Sequence, residues 1–243
     1  METQPKAPDA WEKPQKILVI LAHPDDPEFF CGATLARWAA AGHSIEYCLL
    51  TCGDKGAPNR EIRSQELCSQ RQSEQRSAAA VIGVKKVRFL DNPDGYLVPD
   101  LDLRREVTRI IRQARPDIVV ACDPTNLYGG GTRLNHPDHR AAGQVVLDAL
   151  FPAAQNHLFF EELLAEGLEP HPVREVWVSI ASDPNVTLDV TETWAVKIRA
   201  LQEHKSQIGD PAKFIERMRS RHTEDSTDEA PRFEEKFRRL VLN

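Results

Sequence analysis

Two short segments concentrate the residue types that bind metals and move protons: His23-Pro24-Asp25-Asp26 and His136-Pro137-Asp138-His139. A catalytic zinc site commonly takes three ligands from His, Asp or Glu and leaves one position for water. His23 and Asp26 stand three apart, so one turn can aim both at a point, and His139 can reach the same point from the second segment. Asp25 then sits beside the metal as a free carboxylate, able to take a proton from a water whose pKa the metal lowers. His136 can face a substrate carbonyl. As an imidazolium it would stabilise the oxyanion and give a proton to a leaving amine. Asp138 can orient that histidine, or serve as a first-turn acid favoured by the helix dipole. Each segment alone has a blander reading, a Pro-Asp turn or two polar residues at a helix start. Together they argue for a metal site. The neighbouring Asp25 and Asp26 add to that case, because they repel unless a cation or hydrogen bonds compensate.

The rest of the chain must bring these segments together. Ile17 to Ala22 is a continuous apolar run, as expected of a strand covered on both faces. A helix is expected from Cys31 to Ala41, stopped by Gly42, then a strand from Ile45 to Thr51 and a polar loop from Cys52 to Arg60. A long helix follows from Ile62 to Ile82, ended by Gly83, and a strand from Val87 to Leu90. Asp100 caps a helix to Ala114, and Asp117 to Cys122 is the fourth strand. A glycine-rich loop, Asp123 to Asn135, precedes a helix that opens on Pro137. The stretch 151–172 reads as an insertion that shapes the substrate mouth or an oligomer contact. Val173 to Ile180 and Val186 to Val190 read as strands, and Thr191 as the cap of a helix to Ser206. The charged tail, Asp210 to Asn243, is expected to be partly helical. Short apolar runs alternating with amphipathic helices predict an α/β, Rossmann-like fold: a mostly parallel sheet flanked by helices on both faces. Both chemical segments then fall beyond the carboxyl ends of strands, where open α/β sheets bind ligands.

Bulk properties narrow the function. The 243 residues suit one domain, 17–243, behind a flexible N-terminal segment, 1–16. A net charge of −6 argues against nonspecific nucleic-acid binding. The N-terminal stretch lacks an apolar h-region, and no apolar run approaches the roughly 20 residues of a membrane span. A soluble, cytoplasmic protein is expected. Cys31, Cys48, Cys52, Cys68 and Cys122 show no metal-binding spacing and are expected to be reduced thiols.

At these residues the sequence resembles the LmbE-like, or PIG-L, deacetylase family. Ala22-His23-Pro24-Asp25-Asp26-Pro27-Glu28 resembles its A-H-P-D-D-x-E signature, and His136 to His139 its H-P-D-H signature. Thr51-Cys52-Gly53-Asp54-Lys55-Gly56 is similar to its T-x-G-[DE]-x-G loop, Arg71 to Glu74 to its R-x-x-E, Asp94-Gly95 to a D-G turn, and His204 to Gln207 to its H-x-S-Q. The match keeps its order from Ile17 to Gln207. The resemblance implies a divalent metal, usually zinc, held by His23, Asp26 and His139. It implies Asp25 as general base, His136 with Asp138 as partner at the substrate carbonyl, and Arg71 and Asp94 at the sugar. Implied substrates are N-acetylglucosamine conjugates, and a homo-oligomer is compatible with the family's habit of assembling. Iron(II), manganese or cobalt would also accept such ligands.

The residues leave plainer roles open for some of these positions. Arg71 can be a solvated charge on a long helix, Asp54 and Asp94 turn residues, and His204 a packed helix end. Glu28 can be an acceptor behind a ligand histidine or an ordinary first-turn acid. Competing functions fare worse. A phosphoesterase more often holds two metals with more carboxylates or basic groups. A dinucleotide-binding protein would carry G-x-G-x-x-G where His-Pro-Asp-Asp stands. A noncatalytic sugar binder would be expected to have lost Asp25 or a ligand. A metal-dependent amidase acting on a non-sugar N-acyl substrate remains the alternative.

Overall fold

The computed structural model describes residues 7–57, 59–129 and 133–242. The chain runs β1 (Lys16–Leu21), α1 (Asp26–Ala40), β2 (Ser44–Thr51), α2 (Ser64–Ile82), β3 (Lys86–Asn92), α3 (Leu101–Ala114) and β4 (Ile118–Cys122). A small hairpin, β5 (Tyr128–Gly129) and β6 (Arg133–Leu134), leads into α4 (Pro137–Asp148). Then follow α5 (Glu162–Ala165), β7 (Glu175–Ser179), β8 (Val186–Asp189), α6 (Thr191–Leu201), α7 (Lys205–Ile208), α8 (Pro211–Arg219) and β9 (Glu234–Val241).

Seven strands form one sheet in the order β3-β2-β1-β4-β7-β9-β8. The pairs from β3 through β7 are parallel, and β9 is antiparallel to both its neighbours. This is the mostly parallel, helix-covered sheet the sequence predicts. Alternate side chains of β1 divide between two cores. Ile17, Val19 and Leu21 join Trp38, Tyr47 and Trp177 on the face covered by α1, α2 and α6. Leu18 and Ile20 join Val107, Ile111, Val145 and Val146 on the face covered by α3 and α4. Burying each such aliphatic side chain is worth roughly 1.5–3 kcal/mol, which fixes the strand register. The chain runs outward from β1 through β2 to β3, then returns to place β4 beside β1. That reversal opens a crevice beyond the carboxyl ends of β1 and β4.

Several expectations need correction. α1 starts at Asp26, ahead of the expected Cys31, because Pro27 and the acids Asp26 and Glu28 suit a first helical turn; the helix breaks at Cys31 (φ −148°) and runs on from there. The N-terminal segment is packed over 7–15: Trp11 meets Trp38 and Trp177 edge-on, and Asp9 accepts from Arg37 and the Trp38 indole. The expectation for 1–6 lies outside the described residues. The tail is not only helical. It returns as β9, in which Glu235 and Phe237 face inward and Lys236 faces out. Glu235 is admitted because Lys197 and the Ala33 and Thr34 N–H groups bond its carboxylate. The stretch 151–172 packs against Arg112 of α3 and the residue Pro116 ahead of β4. His171 bonds the Pro116 carbonyl, ahead of the amino end of β4, and the buried Arg112 guanidinium collects carbonyls of Ala153, Ala154, Asn156, Phe159 and Leu168. Cys52 and Cys68 are joined in a disulfide, with Cα atoms 5.1 Å apart, while Cys31, Cys48 and Cys122 are buried free thiols. No motif foretold it, because the loop after β2 folds back onto α2 across 16 residues. Among the described residues no helix is long and apolar enough to cross a membrane.

Candidate active site

The first chemical segment is a closed turn at the end of β1. The His23 N–H donates to Asp26 Oδ2 at 2.8 Å, and the Asp26 N–H to the His23 carbonyl at 3.3 Å. Asp25 caps α1 with φ 90°, in the left-handed region. From α2, Arg71 reaches beneath this turn. Its Nη2 donates to the Pro24 carbonyl at 2.6 Å and to Asp25 Oδ2 at 3.2 Å, and its Nη1 to the Gly53 carbonyl at 3.0 Å. Gly53 is needed there: its φ is 67°, and a Cβ would strike the Arg71 guanidinium. Arg71 is buried, and its two terminal nitrogens are engaged by the turn and the Gly53 carbonyl.

The second segment opens α4 with Pro137 in its first turn. His139 Nε2 lies 3.1 Å from Asp26 Oδ1, and His23 Nδ1 lies 3.4 Å from Asp26 Oδ2. Donor atoms of His23, Asp26 and His139 fall within 4.8 Å of one another. Asn135 Oδ1 meets the other ring nitrogen of His139 at 2.8 Å, the kind of contact that fixes the orientation of a metal-ligating histidine. His23 Nε2 faces Asp94 Oδ1 at 3.0 Å and Asp138 Oδ2 at 3.3 Å. His136 Nε2 lies 3.7 Å from Asp94, and its side chain is 40% exposed. The expected Asp138–His136 pairing is reversed. It is the Asp138 backbone N–H that donates to His136 Nδ1 at 3.2 Å. The Asp138 carboxylate instead accepts from the Gly95 and Leu97 N–H groups, tying the turn after β3 to α4. Because Nδ1 accepts, neutral His136 carries its proton on Nε2, toward the crevice.

The electrostatics separate these groups. Burial pushes the Asp25 carboxyl up to about 6; Arg71 opposes this and Asp26 adds to it. Burial would raise Asp26 too, but His139 and His23 outweigh it and hold Asp26 well below the usual carboxylate range. His23 is raised despite its burial, because Asp138, Asp26 and Asp94 surround it. His136 is lowered by burial and by His23 beside it. Both effects favour its neutral form. A divalent cation fits here: three carboxylates face His23, and two nitrogens with one carboxylate form a donor set suited to such an ion.

All eight sequence-selected residues therefore gather around the crevice, with Arg71 beneath it. Two partners escaped the sequence reading. Asn135 was hidden in a glycine-rich loop, although it precedes His139 by one helical turn. Gln75, which accepts from the Asp25 N–H at 2.7 Å, carried no signal among the many polar residues of α2.

The chain is similar to known proteins over most of its length. Residues 18–150 match the family model PIG-L, described as GlcNAc-PI de-N-acetylase. The chain is 35% identical over 194 residues to diacetylchitobiose deacetylase of Thermococcus kodakarensis, covering 80% of this chain and 70% of that one. It is 26% identical to 1D-myo-inositol 2-acetamido-2-deoxy-alpha-D-glucopyranoside deacetylase 2 of Catenulispora acidiphila, covering 85% and 84%. The solved N,N'-diacetylchitobiose deacetylase of Pyrococcus horikoshii superposes with a TM-score of 0.83 at 28% identity, covering 93% of this chain and 84% of that structure. With its crevice, its two histidine-aspartate segments and these relatives, the chain belongs to the PIG-L family of de-N-acetylases.

Proposed function

We propose that this protein is a metal-dependent N-deacetylase that removes the acyl group, acetyl in the first instance, from an amino-sugar conjugate. The observation that carries this reading is the convergence of His23, Asp26 and His139, with Asp25 turned beside them on a left-handed backbone. We assign His23, Asp26 and His139 to a divalent metal, with zinc as the candidate from its nitrogen and oxygen donors. When bound, the metal supplies Lewis-acid polarisation of the amide carbonyl and lowers the pKa of the attacking water.

The chain's own groups do the rest. Asp25 is held by Arg71 through Oδ2, which leaves Oδ1 to take the proton of the attacking water. A carboxyl raised to about 6 is a base poised near neutral pH, and once protonated it can return that proton to the leaving nitrogen. His136 offers Nε2–H to the carbonyl oxygen as charge builds there. The oxygen–carbon bond forms, the carbon–nitrogen bond breaks, and the free amine and the carboxylic acid depart. Asp138 holds the 94–97 turn against α4, and Asp94 on that turn is the acceptor we assign to a substrate hydroxyl.

The test is metal content by mass spectrometry together with amine release from a panel of N-acetylglucosamine conjugates, with and without added zinc. Metal-dependent amine release is the expected result. Bound metal with release only from non-sugar amides would move the substrate class. No bound metal under any condition would overturn the reading.

A further inference from the structure

Asp25 has a φ of 90° and a ψ of −26°, a conformation that residues with a side chain rarely adopt. Such backbones persist only where surrounding structure over-determines them. Its N–H donates out of its own turn, to Gln75 Oε1 at 2.7 Å, from the middle of α2. Gln75 is wholly buried and its amide cannot turn over. Nε2 donates to both oxygens of Glu28, at 3.1 and 2.9 Å, so the oxygen end must face Asp25. Glu28, also wholly buried, receives a further bond at 3.1 Å from Nε2 of His204, which is buried in turn. A chain of bonds from the residue before α7, through α1 to α2, thus ends on one backbone N–H. Arg71 grips the same residue by its carboxylate.

We propose that Gln75, pinned by Glu28 and His204, is a positioning residue for the general base: it locks Asp25 in the left-handed conformation that presents its carboxylate to the metal site. The proposal rests on the deacetylase reading for its kinetic consequence, but not for its structural one. Glu28 and His204 gain a role from it as well. Glu28 stands behind the base, not behind a ligand histidine.

Gln75→Met keeps the volume and removes the acceptor, so packing alone predicts no loss. A displacement of about 1 Å at a reacting group costs on the order of 100-fold. The variant is therefore expected to lose roughly 10- to 100-fold in kcat, with KM and metal content within about two-fold of wild type. Pairing Gln75→Glu with Glu28→Gln restores the acceptor to Asp25 and a donor between the two side chains, and is expected to recover most of that loss. Gln75→Glu alone sets two carboxylates face to face and stays impaired. Amide hydrogen exchange supplies a readout independent of turnover: the Asp25 N–H should be protected in wild type and in the paired variant, and exposed in Gln75→Met. A folded, metal-loaded Gln75→Met with wild-type kcat and unchanged Asp25 protection would overturn the proposal. If Gln75→Met does not fold, the paired variant decides: folded and loaded, it must turn over and protect Asp25, and failure there overturns the clamp. If wild type releases no amine, the deacetylase reading fails, while the exchange result still decides the clamp.

Discussion

The two segments that build the site are held in opposite ways. The turn after β1 is fixed from within and from below: His23 and Asp26 close on each other, Arg71 and Gln75 hold Asp25, and both ligands are almost fully buried. In the segment before α4, Asp138 is tied to the 94–97 turn, and the two histidines share one further partner, Asn135. Asn135 Oδ1 meets His139 Nδ1 at 2.8 Å and accepts from the His136 N–H at 3.0 Å, while Asn135 Nδ2 reaches back to the Asn126 carbonyl. The His136 side chain is 40% exposed, against 8% for Asp94 and 0% for Asp138. The contrast suits the work assigned to each. Ligands and base gain from rigidity, because sub-ångström errors in them are costly. A donor that meets the substrate must stay accessible to it. On this view each segment pairs a ligand with a non-ligand, Asp26 with Asp25 and His139 with His136, and substitutions should separate the two kinds.

The largest separation lies between His139 and Asp25. His139→Ala removes a ligand, so bound metal should fall away at micromolar protein, and turnover should drop to background. Asp25→Ala should keep its metal and still lose about 10²- to 10⁴-fold in kcat, the range for a lost general acid–base group. Metal content and kcat measured on the same preparations check both. A metal-loaded His139→Ala, or an active Asp25→Ala, would dissolve the division between ligand and base.

His136 tests the accessible member. His136→Ala should retain metal and lose about 10²- to 10³-fold in kcat, as for one lost oxyanion donor, with KM little changed. Loss of metal in this variant would place His136 among the ligands and erase the contrast between the two segments.

What the sequence reveals about this site follows the range of the contacts. His23 and Asp26 could be paired from their spacing alone, because the bond between them is local. The centre of the sheet was equally legible, since β4 and β1 after Lys16 are unbroken apolar runs. Contacts made across the fold were not. Arg71 lies 46 residues and Gln75 50 residues from Asp25, and nothing in a polar helix marks which of its side chains turn inward. Asp138 looked like a partner for His136 because the two are near in sequence. Its carboxylate is claimed instead by N–H groups of the 94–97 turn, more than 40 residues away. β9 was hidden for a related reason. Its charged residues read as surface, and only partners distant in sequence, Lys197 and the Ala33 and Thr34 N–H groups, explain how Glu235 faces the core.

Asn135 offers the finest test of the comparison. Removing an outer partner of a ligating histidine commonly costs 10- to 100-fold in metal affinity or activity, less than removing the ligand itself. Asn135→Ala should therefore weaken metal binding by about that factor, measured by competition with a chelator, while metal added in excess restores most turnover. The first segment has no single residue of this kind, because Asp26 is held by the His23 N–H as well as by its ring contacts with His23 and His139. A metal affinity unchanged in Asn135→Ala would mean that the ring of His139 is positioned by packing instead. Phe30, edge-on to it at 5.1 Å between ring centroids, is the group that would then hold it. The two segments would in that case be equally over-determined, and the exposure of His136 would be the whole of their difference.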